Sequence, residues 1–236
     1  MSSSWLFLDF DGVICDSLPE CYQTSSLLLP GVPDKPADES YAQRFRKGRV
    51  YIRSGEDYVA LHKILREGHD PGSQQEFDAV LKAMGDDTMR RYKKELYSLR
   101  ERLLRDDPET WLSWNPLYEG MAEALNLVRE DPFVWILSTK KAEFIEAILR
   151  HHGVLWPLER IRYTDGRSKL AWIQEIAGDS PSMLIDDQID HLDFTHPTCS
   201  CRLALWGYAS TEARQRGVPS LTLAQARELV LTRALA

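Results

Sequence analysis

Near its N-terminus the chain reads WLFLDFDGV (residues 5–13), an apolar run that passes directly into two aspartates. A run of this length and composition predicts a short buried β-strand. Because side chains along a strand alternate between its two faces, Asp9 and Asp11 should point the same way. Two carboxylates so close repel each other, which favours a Mg2+ site with one carboxylate free to attack. A plain strand-to-turn transition, with Gly12 in the turn, is the alternative.

A second apolar run, FVWIL at residues 133–137, predicts another buried strand. It ends in Ser138 and Thr139, just before a helical pattern at residues 141–151. A hydroxyl and free backbone N–H groups at a helix start form a natural anion site. The alternative is that these residues act as an ordinary N-cap.

A third strand is predicted at residues 160–164, followed by a helix that Ser168 should cap. Lys169 falls in the first turn of that helix. The helix dipole favours acids rather than cations at this end, so the position of Lys169 indicates a functional role. A solvated lysine remains the alternative.

A fourth apolar strand, at residues 182–185, ends in Asp186 and Asp187, and Asp190 lies a few residues beyond. With a fifth strand predicted at residues 202–206 and a last helix at 223–231, strands alternate with helices along the chain. This alternation predicts an α/β fold with a doubly wound, Rossmann-like parallel sheet. Ligands of such sheets bind beyond the carboxyl ends of the strands, where all four polar segments fall.

These segments resemble the haloacid dehalogenase-like hydrolases, in particular the capped phosphatases related to phosphoglycolate phosphatase and β-phosphoglucomutase. The resemblance rests on DFDGVICDS at residues 9–17 and on the order Asp, Ser/Thr, Lys, Asp-Asp along the chain. It covers residues 1–17 and 115–225. It implies a Mg2+-dependent phosphatase acting through an aspartyl-phosphate.

The resemblance also implies a role for each matching residue. Asp9 would be the nucleophile and Asp11 the general acid and base. Ser138 would hold the transferring phosphoryl group, and Lys169 would neutralise charge on the nucleophile and the phosphate. Thr139 is a further predicted substrate contact, and the metal ligands are predicted at Asp9, Asp11, Asp186 and Asp187.

Two departures from the family pattern lie near the last motif. Asp186 stands where relatives often have glycine, and His191 stands where they often have a second acid, so Asp190 is an alternative ligand. Leu170, rather than the frequent proline, follows the lysine. These departures bear on the subfamily and substrate more than on the chemistry.

The residues between the first two motifs are too many for a loop, so residues 16–114 are predicted to form an inserted cap domain and residues 1–15 with 115–236 the core. Helical periodicity at residues 58–66 and 88–105 predicts a cap of four or five helices. Arg46 lies in a basic run at residues 44–49 and is the candidate for contacting an anionic substrate group. A solvated surface arginine is the alternative.

Composition narrows the class of protein further. The 236 residues carry a formal net charge of -7, which offers no electrostatic footprint for nucleic acid. The apolar runs are too short for a signal peptide or a membrane span, so a cytoplasmic protein without membrane partners is expected. A monomer or homodimer is expected as well. Cys199 and Cys201, near His191 and His196, leave a second metal site conceivable.

The predicted activity is hydrolysis of a small phosphorylated metabolite. Asp11 favours phosphoryl transfer over dehalogenation, because a halide leaves without needing a proton. A phosphomutase with the same intermediate is the close alternative. A catalytically silent module of the same fold, used for binding or signalling, is the alternative from another class.

Overall fold

In the computed structural model, residues 4–29, 31 and 39–234 are described. The chain divides into two compact units, one formed by Met1–Asp16 with Pro116–Ala236 and the other by Ser17–Asn115. The predicted boundaries fall one residue earlier at each crossing. None of the described helices is long and apolar enough to cross a membrane.

The unit formed by Ser17–Asn115 is helical. Its described residues contain six α-helices rather than the predicted four or five: α1 (Leu18–Ser26), α2 (Glu39–Gly48), α3 (Gly55–Arg66), α4 (Gln74–Met84), α5 (Asp86–Asp106) and α6 (Pro108–Ser113). A short 3-10 helix, Arg49–Tyr51, follows α2. The sequence prediction located α3 and α5 but did not locate α1, α2, α4 or α6.

The other unit is built on six parallel strands: β1 (Trp5–Leu8), β2 (Val134–Ser138), β3 (Ile161–Tyr163), β4 (Ser182–Asp186), β5 (Cys199–Ala204) and β6 (Ser220–Leu221). Their order is β3-β2-β1-β4-β5-β6. The chain winds outward from β1 in both directions, which confirms the predicted doubly wound fold. The crevice beside β1, where the winding reverses, is the position at which such sheets bind ligands.

Helices α7 (Met121–Val128), α8 (Ala142–His151), α9 (Lys169–Ala177), α10 (Thr211–Gln215) and α11 (Leu223–Ala234) complete this unit. Phe7, Leu137 and Leu184 come from adjacent strands and pack with Ile173 of α9 in one buried cluster. Burying a side chain of this size contributes about 1.5 to 3 kcal/mol. The same packing holds the first residue of α9 close to the strand ends.

The fifth strand was predicted three residues too late at its start. β5 begins at Cys199, pairs with β4 from Ser182 onward, and ends at Ala204 rather than Trp206. Its inward positions, Cys199 and Cys201, are buried while Ser200 is exposed. The alternation typical of a strand is therefore present, but cysteine occupies the apolar positions and hides it.

A buried ion pair stabilises the helical unit. Arg100 on α5 donates two hydrogen bonds to Glu20 on α1, at 2.8 and 2.7 Å, and both side chains are almost completely inaccessible to solvent. The same carboxylate accepts hydrogen bonds from Thr24 (2.7 Å) and from the Trp111 indole (3.1 Å). The three side chains that donate these hydrogen bonds all belong to this unit.

We expect Arg100→Met to lower the free energy of unfolding of the helical unit by about 3 to 5 kcal/mol, because it leaves the Glu20 charge buried and uncompensated. Arg105→Met is the matched control: Arg105 pairs with Asp106 at the surface, and its loss should cost less than about 1 kcal/mol. Urea denaturation followed by circular dichroism measures both. Equal losses in the two variants would show that the buried pair contributes nothing special.

Candidate active site

Strand register brings the polar segments to one edge of the sheet. Leu8, the last residue of β1, lies opposite Ile136 of β2 and Ile185 of β4. The Asp9 amide donates to the Ile185 carbonyl at 2.9 Å, which extends the pairing one residue past the strand. Asp9 and the end of β4 are therefore neighbours, as expected for parallel strands that end together.

Three aspartates come together at this edge. Asp9, Asp186 and Asp187 are all buried, and each offers a carboxylate oxygen within 4.8 Å of the others. Lys169, the first residue of α9, places its Nζ 2.7 Å from Asp9 Oδ1 and 2.6 Å from Asp186 Oδ2. The lysine that looked misplaced against the helix dipole thus neutralises buried negative charge.

Asp186 is held by donors on both of its oxygens. Oδ1 accepts from the Gln188 amide at 2.8 Å, and Oδ2 accepts from Lys169 and lies 3.0 Å from His191 Nδ1. Burial alone would raise the pKa of Asp186, but Lys169 and His191 outweigh burial and hold that pKa well below its usual range. Burial opposes a charged imidazole as well, yet the Asp186 carboxylate raises the pKa of His191.

Asp9 behaves in the opposite way. Burial, reinforced by the charges of Asp186 and Asp187, raises its pKa to about 7 in spite of the attraction of Lys169. Lys169 therefore compensates the charge of the Asp9 carboxylate only in part near neutral pH. A hard divalent cation beside this carboxylate would supply the missing positive charge, and a set of carboxylate oxygens suits Mg2+. The residues present fit this ion.

Asp187 is positioned by closely packed backbone. Its Oδ2 accepts a hydrogen bond from the Tyr208 amide at 2.8 Å. Gly12 has φ +86°, and a Cβ at this position would lie 2.3 Å from the same oxygen. A Cβ at Gly207 would lie 2.2 Å from the Gly12 carbonyl oxygen. Only glycine at positions 12 and 207 lets the two loops approach Asp187 this closely.

Ser138 and Thr139 lie at the end of β2, next to β1. Ser138 is the last residue of the strand and is buried, and its Oγ accepts a hydrogen bond from the Lys140 amide at 3.1 Å. Helix α8 begins later, with Lys141 at its N-cap position. The alternative of an ordinary N-cap is therefore wrong for Ser138, and Thr139 is half-buried directly after it.

Asp11 does not join the group of three aspartates. Its carboxylate is 18% exposed and lies 3.0 Å from the Nζ of Lys140, a buried residue. Sequence reasoning missed Lys140, although it directly follows Ser138 and Thr139 in the chain. A third polar side chain after a buried strand that already ends in two hydroxyls was the available signal.

Arg46 and Asp190 are the remaining predicted residues. Arg46 is exposed on α2, in the helical unit. Asp190 is exposed, in the short 3-10 helix Ile189–His191. Within the described part of the chain, the three aspartates are the only group of three or more His, Cys, Asp or Glu side chains close enough to share a metal ion. Among the residues that the structure describes, no such group includes Cys199 or Cys201.

Known protein structures resemble this chain along almost its entire length. A predicted phosphoglycolate phosphatase from Haemophilus somnus aligns with 96% of this chain and 97% of its own, at 12% identity and a TM-score of 0.60. A predicted phosphatase from Clostridium acetobutylicum aligns over 98% and 100%, at 13% identity and a TM-score of 0.55. A haloacid dehalogenase-like protein of unknown function from Agrobacterium tumefaciens aligns over 99% of both chains, at 16% identity and a TM-score of 0.54.

No protein-family model and no curated protein sequence matches the chain. The TM-scores and the nearly complete coverage show a shared fold, and at identities of 12 to 16% the likeness shows the fold alone. The chain has the fold of the haloacid dehalogenase-like hydrolases, which confirms the resemblance predicted from residues 9–17 and from the order of the later motifs.

We expect Mg2+ binding to release a proton from Asp9, because a cation binds the carboxylate and not the carboxylic acid. The affinity should therefore fall as the pH drops below about 7, by up to tenfold per pH unit. Isothermal titration calorimetry in two buffers of different ionisation enthalpy measures the proton count directly. Affinity that stays constant between pH 8 and pH 6 would contradict the raised pKa of Asp9.

Proposed function

We propose that this chain is a Mg2+-dependent hydrolase that removes phosphate from a small phosphorylated metabolite through an aspartyl-phosphate on Asp9. The observation that carries the proposal is the group of three buried aspartates at the carboxyl edge of the sheet, two of which pair with Lys169. Ser138 ends β2, the strand beside β1. The names of two structural neighbours, a predicted phosphoglycolate phosphatase and a predicted phosphatase, support the same class of reaction.

Asp9, Asp186 and Asp187 would hold the metal ion. When bound, the ion neutralises the crowded carboxylates and part of the negative charge on the phosphate oxygens. Asp186 also orients the Lys169 ammonium at 2.6 Å, and His191 in turn orients Asp186. Asp11, also predicted as a metal ligand, has its carboxylate directed to Lys140 instead, so we assign that carboxylate to proton transfer.

The Asp9 carboxylate is oriented for attack by two contacts. Its Oδ1 accepts hydrogen bonds from the Phe10 amide and from Lys169, both at 2.7 Å. Oδ2 then forms the new bond to phosphorus as the bond from phosphorus to the leaving oxygen breaks. Asp11 donates a proton to that oxygen, so the leaving group departs as a neutral alcohol.

A water molecule completes the turnover. Asp11, now a carboxylate, takes a proton from the water as the water oxygen attacks the phosphorus of the aspartyl-phosphate. The bond from phosphorus to Asp9 breaks, which releases inorganic phosphate and restores both carboxyl groups. One side chain thus acts first as an acid and then as a base.

Lys169 and Ser138 serve the same phosphoryl group. The Lys169 ammonium and the Ser138 hydroxyl, with nearby backbone amides, would stabilise the charge spread over the three equatorial oxygens. Both are fixed before substrate arrives, Lys169 by two carboxylates and Ser138 by the Lys140 amide. Preorganised groups of this kind gain their effect because they need no reorientation during the reaction.

We expect the wild-type protein with Mg2+ to release phosphate from at least one member of a broad panel of phosphate monoesters. Asp9→Asn should abolish this release, because an amide cannot form the acyl phosphate. Lys169→Met should lower kcat/KM more than 100-fold, which corresponds to a loss of about 3 to 4 kcal/mol of transition-state stabilisation. A colorimetric assay of released phosphate measures the activity of the wild-type protein and of both variants.

Asp179→Asn is the matched control for Asp9→Asn, because Asp179 is an exposed aspartate beyond the opposite end of α9. It should keep wild-type activity. Wild-type protein that is folded and inactive on the whole panel would favour a silent binding module. Isomerised sugar phosphate in place of free phosphate would identify a mutase.

A further inference from the structure

Lys140 is a buried lysine that the proposed chemistry does not yet use. Its side chain is 1% exposed, and its Nζ lies 3.0 Å from Asp11 Oδ1 and 5.6 Å from the centroid of the Phe10 ring. Burying a lysine costs several kcal/mol unless it is paired, so a buried lysine has a specific partner. The partner here is the carboxylate assigned to proton transfer.

The backbone around Asp11 is already fixed by its own turn. The amides of Val13, Ile14 and Cys15 all donate to the Phe10 carbonyl, and the Gly12 amide donates to the Cys15 carbonyl at 2.8 Å. With the backbone fixed, the position of the Asp11 carboxylate depends mainly on rotation about its side-chain bonds. A strong contact to that carboxylate therefore decides where it lies.

Lys140 itself is anchored on the strand that carries the phosphate-binding hydroxyl. Its amide donates to Ser138 Oγ at 3.1 Å, and its ammonium reaches across to the loop after β1. One residue thus connects Ser138 to Asp11. The same residue therefore contacts both the predicted phosphate-binding hydroxyl and the predicted proton donor.

We propose that Lys140 is a positioning residue that holds the Asp11 carboxyl group beside the leaving oxygen of the substrate, away from the three aspartates that bind the metal. This inference rests on the proposed function, since it assigns a partner to the acid in that reaction. When Asp11 donates its proton to the leaving oxygen, the bond from phosphorus to that oxygen breaks and the bond to Asp9 forms. Lys140 takes no part in the bond changes.

The proposal predicts a dependence on the leaving group. An alkyl phosphate needs a proton on its leaving oxygen, whereas 2,4-dinitrophenyl phosphate releases a stable phenolate without one. Loss of an acid or of its placement should therefore slow the alkyl ester selectively. A residue that binds the phosphate or maintains the fold would slow both esters equally, because the two share the same phosphoryl group.

The experiment measures kcat/KM for both esters in Lys140→Met, because kcat/KM reports the steps up to formation of the aspartyl-phosphate and not its hydrolysis. We expect a loss of roughly 30- to 100-fold for the alkyl ester and less than about threefold for the dinitrophenyl ester. Arg150→Met removes a positive charge from an exposed position on α8 and should leave both values unchanged. Circular dichroism confirms that each variant is folded.

Two further variants extend the test. Lys140→Gln keeps a hydrogen-bond donor on a side chain one bond shorter and should show the same selectivity with a smaller loss, which gives a result even if Lys140→Met fails to fold. In an Asp11→Asn background, Lys140→Met should cost nothing more on the alkyl ester, because the residue acts only through Asp11.

Equal losses on the two esters, no loss on either, or additive losses with Asp11→Asn would overturn the positioning role. These outcomes leave the proposed function intact, since the wild-type protein hydrolyses both esters. A folded wild-type protein that hydrolyses no ester of the broad panel, these two included, would overturn the proposed function and this inference together.

Discussion

The contact of one ammonium group with two carboxylates governs the site. Lys169 Nζ lies within hydrogen-bond distance of both Asp9 and Asp186, in a region that solvent hardly reaches. Three buried carboxylates cannot all be ionised beside a single cation without a large electrostatic cost. Asp186 takes most of the stabilisation and stays ionised, while the pKa of Asp9 rises to about 7. A divalent cation would neutralise the negative charge that Lys169 leaves uncompensated.

The sheet creates this crowding, because parallel strands end together at the edge where its winding reverses. β1 lies between β2 and β4, so the residue after β1 is next to the ends of both neighbours. Helix α9 starts at the same edge and delivers Lys169. The glycines at positions 12 and 207 then allow two loops to close around Asp187. Segments that are distant in the chain thereby lie close together at this edge of the sheet.

Much of this arrangement could be predicted from the sequence. Apolar runs identified β1, β2 and β4, and residues 160–164 predicted β3. The polar residues at the ends of the strands indicated a shared edge, because parallel strands make that edge by geometry alone. Lys169 could be singled out because it opposes a helix dipole. The family resemblance added roles to these positions, and the fold agrees with it.

The contacts that could not be predicted depend on which side chains meet across the fold. The distance between Lys140 and Asp11 depends on the register of β1 against β2, which local sequence does not encode. Glu20 and Arg100 are 80 residues apart, and nothing near either one marks its partner. The predicted position of β5 was displaced because the buried positions of this strand are cysteines. The roles of the adjacent Asp186 and Asp187 could not be distinguished until the hydrogen-bond donors to each were known.

The central claim is that Asp9 forms the covalent bond to phosphorus. The most direct test is to mix the protein with Mg2+ and a substrate found in the ester panel, quench within the first turnovers, and treat the protein with borohydride. This reagent reduces an acyl phosphate to an alcohol, and mass spectrometry of the peptides then locates the modified residue. The account predicts conversion of Asp9 to homoserine only when substrate is present. Modification at Asp11 or Asp187 instead, or none despite steady phosphate release, would contradict it.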